Sequence, residues 1–214
     1  MTKRIPHSND AILGEESMAV YVENHKKNLN SHFKTFLKDL ESLNMNGRFL
    51  EIGSGPGFLT ALVAKKNPNA RITALELSPE MIHFARNHIQ EEGVEDRVRF
   101  IQGNAESPGM LQSLGPFDLV YSTFSLHHWK RPLRVIKNLY HIVSDKGALL
   151  IHDLIRVWWL YHLPPKNGFF ESIRAAYAPK EIRRMFEQLD IHHLRLKIPF
   201  PYFWMSAVVQ KNAV

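Results

Sequence analysis

The 214-residue chain is 44% hydrophobic and 22% charged, which suits one soluble domain with a sizeable core. Its formal charge of +6 would favour nucleic acid or another anionic partner, but it is scattered, with Arg183-Arg184 and nearby Lys180 as the densest cluster, so a solvated basic surface is expected instead of a nucleic-acid footprint. With no cysteine, disulfides, thiolate metal sites and cysteine nucleophiles are excluded, and the lack of an apolar leader or bilayer-length segment reads as a cytoplasmic protein without a membrane span.

In chain order, residues 1–46 read as an N-terminal helical lid: a segment around Ala11 to Val22, then an amphipathic helix carrying Leu29, Phe33, Phe36, Leu37, Leu40 and Leu43. Tyr21 and His25 are placed to face a ligand or to sit on an ordinary amphipathic surface. From Arg48 strands and helices alternate: strand Arg48 to Ile52, helix Phe58 to Lys66, strand Arg71 to Leu75, then a helix capped by Ser78 with Pro79 at its first position. Strand Val98 to Gln102, a short helix over Pro108 to Leu114 and strand Phe117 to Ser122 follow. A helix from Pro132 through Val143 leads to strand Ala148 to His152.

After an aromatic connection, Val157 to Phe170, Pro179 opens a last helix. Two extended stretches, Ile191 to Ile198 and Phe203 to Gln210, then close the chain without a helix between them and should pair antiparallel. The expected fold is an α/β three-layer sandwich with a seven-stranded, mostly parallel Rossmann-like sheet and an antiparallel C-terminal edge pair. Within one domain, 48–153 forms the ligand-binding core, 154–178 an inserted cover and 179–214 the C-terminal helix and strand pair.

Chemistry concentrates where open α/β sheets bind ligands, at the carboxyl ends of the central strands. The first strand ends in Glu51-Ile-Gly-Ser-Gly-Pro-Gly57, a turn whose glycines let a ligand approach bare peptide near a helix N-terminus. Glu76 ends the second strand and Asn104-Ala-Glu106 follows the third. The glycines do not follow the G-x-G-x-x-G spacing of nicotinamide folds.

Together these residues resemble the class I S-adenosylmethionine-dependent methyltransferases. The stretch Phe117-Asp-Leu-Val-Tyr-Ser-Thr-Phe-Ser-Leu-His-His-Trp129 resembles the branch that includes the ubiquinone and menaquinone enzymes. The resemblance implies S-adenosylmethionine as cofactor: Glu51, Gly53, Ser54, Gly55 and Gly57 around its methionine part, Glu76 on the ribose hydroxyls, Leu77 and Met81 flanking adenine, and Asn104 with Ala105 at its amino edge. Ser122 and Thr123 would border the sulfonium, and Tyr21 would reach in from the lid. Asn104 stands where the family more often has aspartate. Ser122-Thr-Phe-Ser125 replaces the Asp/Asn-Pro-Pro-aromatic run of adenine methyltransferases, which favours a small-molecule acceptor; RNA or protein methylation, and a cofactor-binding regulator without turnover, are the alternatives.

Methyl transfer needs an aligned acceptor, and a base only when the acceptor must lose a proton. His128 is the first candidate base and Asp153 the second, with His127 and His152 beside them. Equally, the His-His-Trp turn shapes the pocket without moving a proton. A histidine and carboxylate metal site lacks supporting spacing, and none is assigned. Trp158, Trp159, Tyr161, Phe169 and Phe170 suit an acceptor cover, plain packing on the sheet, or a partner surface, with the chain a monomer or homodimer.

Overall fold

A computed structural model describes residues 2–6, 33–163 and 168–211. The segment from Ala11 to Val22, with Tyr21, and also His25 and Leu29, lies outside them. The described chain begins its regular structure with the helix over 33–43, α1, whose Phe33, Phe36, Leu40 and Leu43 are buried, as their helical spacing requires.

Strands β1 (Arg48–Ile52), β2 (Arg71–Glu76), β3 (Val98–Gln102), β4 (Phe117–Thr123), β5 (Val143–Leu154), β6 (Arg195–Lys197) and β7 (Trp204–Gln210) form one seven-stranded sheet, ordered β3-β2-β1-β4-β5-β7-β6. The first five pair in parallel, while β7 is antiparallel to both β5 and β6. The C-terminal pair is therefore antiparallel as expected, with β7 alone reversed.

Strand periodicity builds two cores, one on each face. On one, Phe49, Leu119 and Leu150 meet α1 and α2 (Phe58–Lys66), with Ile89 of α3 (Pro79–Glu91). On the other, Leu50, Val120 and Leu149 meet α4 (Pro132–His141) and α7 (Pro179–Gln188) through Val135, Ile136, Ile182 and Phe186. Local signals set the helix starts: the Ser78 hydroxyl accepts the Met81 amide and Pro79 opens α3, while Glu181 accepts the Ala178 amide at α7. Among the described residues no helix is long and apolar enough to cross a membrane.

Several boundaries differ from expectation, and the stretch Ile191 to Ile198 pairs as a strand only over Arg195–Lys197. The helix over Pro108 to Leu114 is only a 3-10 turn, Gln112–Leu114, because Gly109 and Gly115 take left-handed φ of 76° and 81° on either side. The α4 helix stops at His141 rather than Val143, since the Ile142 carbonyl accepts the Phe117 amide at the start of β4. Strand β5 starts five positions early, at Val143 against Phe117, and runs to Leu154, crossing a bulge that hides its polar first half from pattern reading. The aromatic connection folds as two short helices, α5 (Trp158–Tyr161) and α6 (Gly168–Ala175).

Candidate active site

At the end of β1 the chain turns through Gly53 at φ 72° and Gly55 at φ 53°, and Gly57 caps α2. A Cβ on Gly53 would lie 2.3 Å from the Ser125 hydroxyl, so the turn seats against the chain that follows β4. Around Gly55 an added Cβ would meet nothing within 4 Å among the described residues, which leave the turn's backbone open on that side. Its amide donates to Glu76 Oε2 at 2.9 Å, while Glu76 Oε1 accepts the amides of Leu77 (2.8 Å) and Ser78 (3.0 Å). Beside them the Ser54 hydroxyl is buried with no hydrogen-bond partner among the described residues. A buried orphan polar atom next to an open glycine and a half-buried carboxylate suits a polar ligand bearing hydroxyl or amino groups.

The other expected cofactor residues divide by position. Leu77 is exposed and Met81 buried, at the lip and base of the same corner. Asn104 is exposed and its Oδ1 accepts the Glu106 amide at 2.8 Å, with Ala105 buried beneath. Ser122 is fully buried and its hydroxyl donates to the Ile52 carbonyl at 3.1 Å, joining β4 to β1. Thr123 instead borders the turn, lining with Phe33 and Phe124 a cavity of about 30 Å³ against Gly53, Ser54 and Gly55. That volume holds a single water, so a nucleoside-sized ligand must lie over the open side of the turn or part the Phe33 and Phe124 rings, whose centroids are 5.9 Å apart.

Glu51 sits beneath the turn. Its Oε2 accepts the hydroxyls of Thr60 (2.7 Å) and Tyr121 (3.0 Å) in a buried trio. Burial pushes its carboxyl up to about 7; the two hydroxyl donors oppose this, and the charge of Glu76 adds to it. Tyr121 is pushed well above its ordinary value by burial and by Glu51. Sequence reading had not picked out Thr60 or Tyr121. Tyr121 pairs directly with Glu51 across β1 and β4, a neighbour visible only once the strand order is known.

Past β4, the 3-10 turn Leu126–His128 packs at the end of β5. Asp153 is held by three hydrogen bonds: Oδ1 accepts His127 Nδ1–H and the Leu154 amide, both at 2.6 Å, and Oδ2 accepts the His127 amide at 3.0 Å. His128, half-buried, lies with its ring centroid 4.2 Å from that of His127. His152 is elsewhere: adjacent strand residues face opposite sides, and it packs among Phe36, Phe124 and Trp204 on the α1 face. The expected cluster of His127, His128, His152 and Asp153 is thus two groups separated by the sheet.

Arg4, likewise unanticipated, donates to the His127 carbonyl (2.9 Å) and the Ala175 carbonyl (2.6 Å), with its guanidinium 4.3 Å above the Tyr177 ring. Nothing in an N-terminal Thr-Lys-Arg marks such a reach. The cover segment does not bury all its aromatics: Trp158 is 74% exposed, while Leu160 and Ile173 are buried. Aromatic contacts run from it inward, Trp159 and Phe169 to Phe203, Phe203 to Trp204, and on through His152 to Phe124.

A seven-stranded sheet with β7 reversed, a glycine turn after β1 and a carboxylate ending β2 define the class I methyltransferase architecture. Residues 50–151 match the family model described as "Methyltransferase domain". The chain is 30% identical over 169 residues to malonyl-[acyl-carrier protein] O-methyltransferase of Priestia megaterium, covering 72% of this chain and 55% of that relative. It is 21% identical over 190 residues to the ubiquinone/menaquinone biosynthesis C-methyltransferase UbiE of Legionella pneumophila (strain Corby), covering 77% and 75%. In shape it is similar to the plantazolicin methyltransferase BamL, solved with a triazolic desmethylPZN analog and SAH: TM-score 0.73, 15% identity, 92% of this chain and 91% of that one. The chain thus matches the methyltransferase-domain family over residues 50–151 and spans about half the length of the Priestia relative.

Proposed function

We propose that this chain transfers the methyl group of S-adenosylmethionine to a small-molecule acceptor in the cytoplasm. The observation that carries this is the corner where, among the described residues, Gly55 is open, the Ser54 hydroxyl is buried without a partner and the Glu76 carboxylate faces the turn. A carboxylate has about four acceptor positions, and three amides occupy Glu76. Accepting both ribose hydroxyls therefore means releasing at least one of those amides, most simply that of Gly55, which has open space beside it. Ser54 would hold a polar group of the methionine part, with Leu77 on the adenine and the second lone pair of Asn104 on its amino edge. Glu51 supports this turn from below.

When bound, the cofactor supplies an electrophilic sulfonium methyl that needs no activation by the protein. The chain's own work is to orient the acceptor and exclude water, for which Thr123 and Phe124 line the turn and His128 lies in the 3-10 turn that follows them. Asp153 is committed to His127 and so acts as a positioning group, fixing the turn that presents His128. His128 accepts a proton when the acceptor must lose one and otherwise forms the pocket wall. Residues 154–178 serve as the acceptor cover. Ser122-Thr-Phe-Ser125, in place of the adenine-methylating run, supports a small molecule over a nucleic acid.

Titration calorimetry with S-adenosylhomocysteine tests the reading. The wild-type chain should bind, and Glu76→Ala should weaken binding by roughly tenfold to a hundredfold, the value of charged hydrogen bonds to hydroxyls. Absence of binding at millimolar ligand, or equal affinity in Glu76→Ala, overturns it.

A further inference from the structure

On the sheet face away from α1, a groove of about 480 Å³ runs between the start of α4 and the helix α7. Its floor is apolar, built from Pro132, Leu133 and Met185, with Leu133 38% exposed. Three guanidiniums border it, those of Arg131, Arg134 and Arg184, and none forms an ion pair or side-chain hydrogen bond among the described residues. The carboxylate at the groove, Glu181, does not balance them: it accepts Arg156 Nη2 at 2.8 Å and the Ala178 amide at 2.7 Å. Uncompensated charge thus stands over exposed apolar surface on a protein with a formal charge of +6.

We infer that this groove docks an acidic amphipathic helix of a partner protein. Such a helix sets its apolar stripe on Leu133 and Met185 and its carboxylates on the three arginines, whose planar forks donate to carboxylates bidentately. A nucleic-acid backbone would use the arginines and leave the apolar floor uncovered. The groove also adjoins the candidate active site: the Arg131 amide donates to Glu106 Oε1 at 2.6 Å, in the turn that holds Asn104 and Ala105. A partner seated there lies beside the turn proposed to meet the adenine edge of the cofactor. The docking itself does not depend on methyl transfer.

The test is fluorescence anisotropy of the full chain with a labelled synthetic helix of about 18 residues, five turns, carrying a leucine stripe flanked by glutamates. A second peptide has every leucine replaced by glutamine at the same charge, and a single-stranded RNA oligomer serves as the third probe. The leucine peptide should bind saturably, with the glutamine peptide roughly tenfold weaker. The double variant R131E/R184E should lose roughly tenfold or more, and the milder Leu133→Gln should lose less, both with thermal unfolding unchanged. Equal binding of the two peptides, RNA binding tighter than the leucine peptide and lost in the same double variant, or no saturable peptide binding overturns the assignment.

Discussion

At the glycine turn, Glu76 holds the amides of the two residues that follow it and of Gly55, 21 positions back. Past β4, Arg4 holds carbonyls 123 and 171 positions away, and Arg156 holds the Thr2 carbonyl 154 positions away. Both regions sit at the carboxyl edge of one sheet, yet the first closes within a single strand-turn-helix-strand unit and the second only when distant segments have docked. Contacts of that second kind form after more chain has been ordered. The cofactor corner should therefore survive damage that loosens the acceptor end.

The largest break in that contrast is Asp153→Ala. It strands two amides and the His127 Nδ1–H in a fully buried place, a loss of about 3–5 kcal/mol. Melting temperature should fall by roughly 10 °C, while material kept folded in the cold still binds S-adenosylhomocysteine. An unchanged melting temperature, or simultaneous loss of cofactor binding, removes the distinction between the two regions.

Glu51 tests the cofactor corner in turn. Its carboxyl is raised from 4.5 to about 7, so the folded state holds the proton more tightly than the unfolded chain does. The stability this adds is fully present below pH 4.5 and is lost as pH rises through about 7, amounting to about 3 kcal/mol at most. Urea denaturation at the two ends of that window should show the decline in wild type and a flatter profile in Glu51→Gln. Parallel profiles would mean that Glu51 is not the group that titrates.

Arg4→Met is the mildest change, about 1–2 kcal/mol for two hydrogen bonds from a half-buried guanidinium. Because Arg4 and Asp153 hold the same 3-10 turn through His127, the double variant should cost less than the sum of the two single ones. Strict additivity in thermal unfolding would show that the N-terminal segment and β5 do not act on one element.

Much of the first region was legible in advance. Alternation along Arg48–Ile52, the Gly53, Gly55 and Gly57 run, and Ser78-Pro79 each act within a few residues, so pattern alone located β1, its turn and α3. The second region was legible only as a list of residue types. His127, His128, His152 and Asp153 lie at the two strand ends where the sequence places them, but which of them face each other depends on strand alternation and on the 3-10 turn after β4. Glu51 shows the same limit within the first region: its place in the glycine motif suggests a ligand contact, whereas Thr60 and Tyr121 claim it from below. The polar start of β5, Ser144-Asp145-Lys146-Gly147, looks like a loop because it lies beside a bulge.

The buried hydrogen bond from Tyr121 to Glu51 has an optical consequence. A phenol that donates to a carboxylate absorbs and emits differently once that carboxylate ionises, and Tyr121 cannot lose its own proton over the same range because it is held well above its ordinary value. Tyr121 is thus a colour indicator built into the sheet. Since the charge of Glu76 helps to set where Glu51 titrates, ultraviolet difference spectra across neutral pH would register what happens on the Glu76 carboxylate without any added dye.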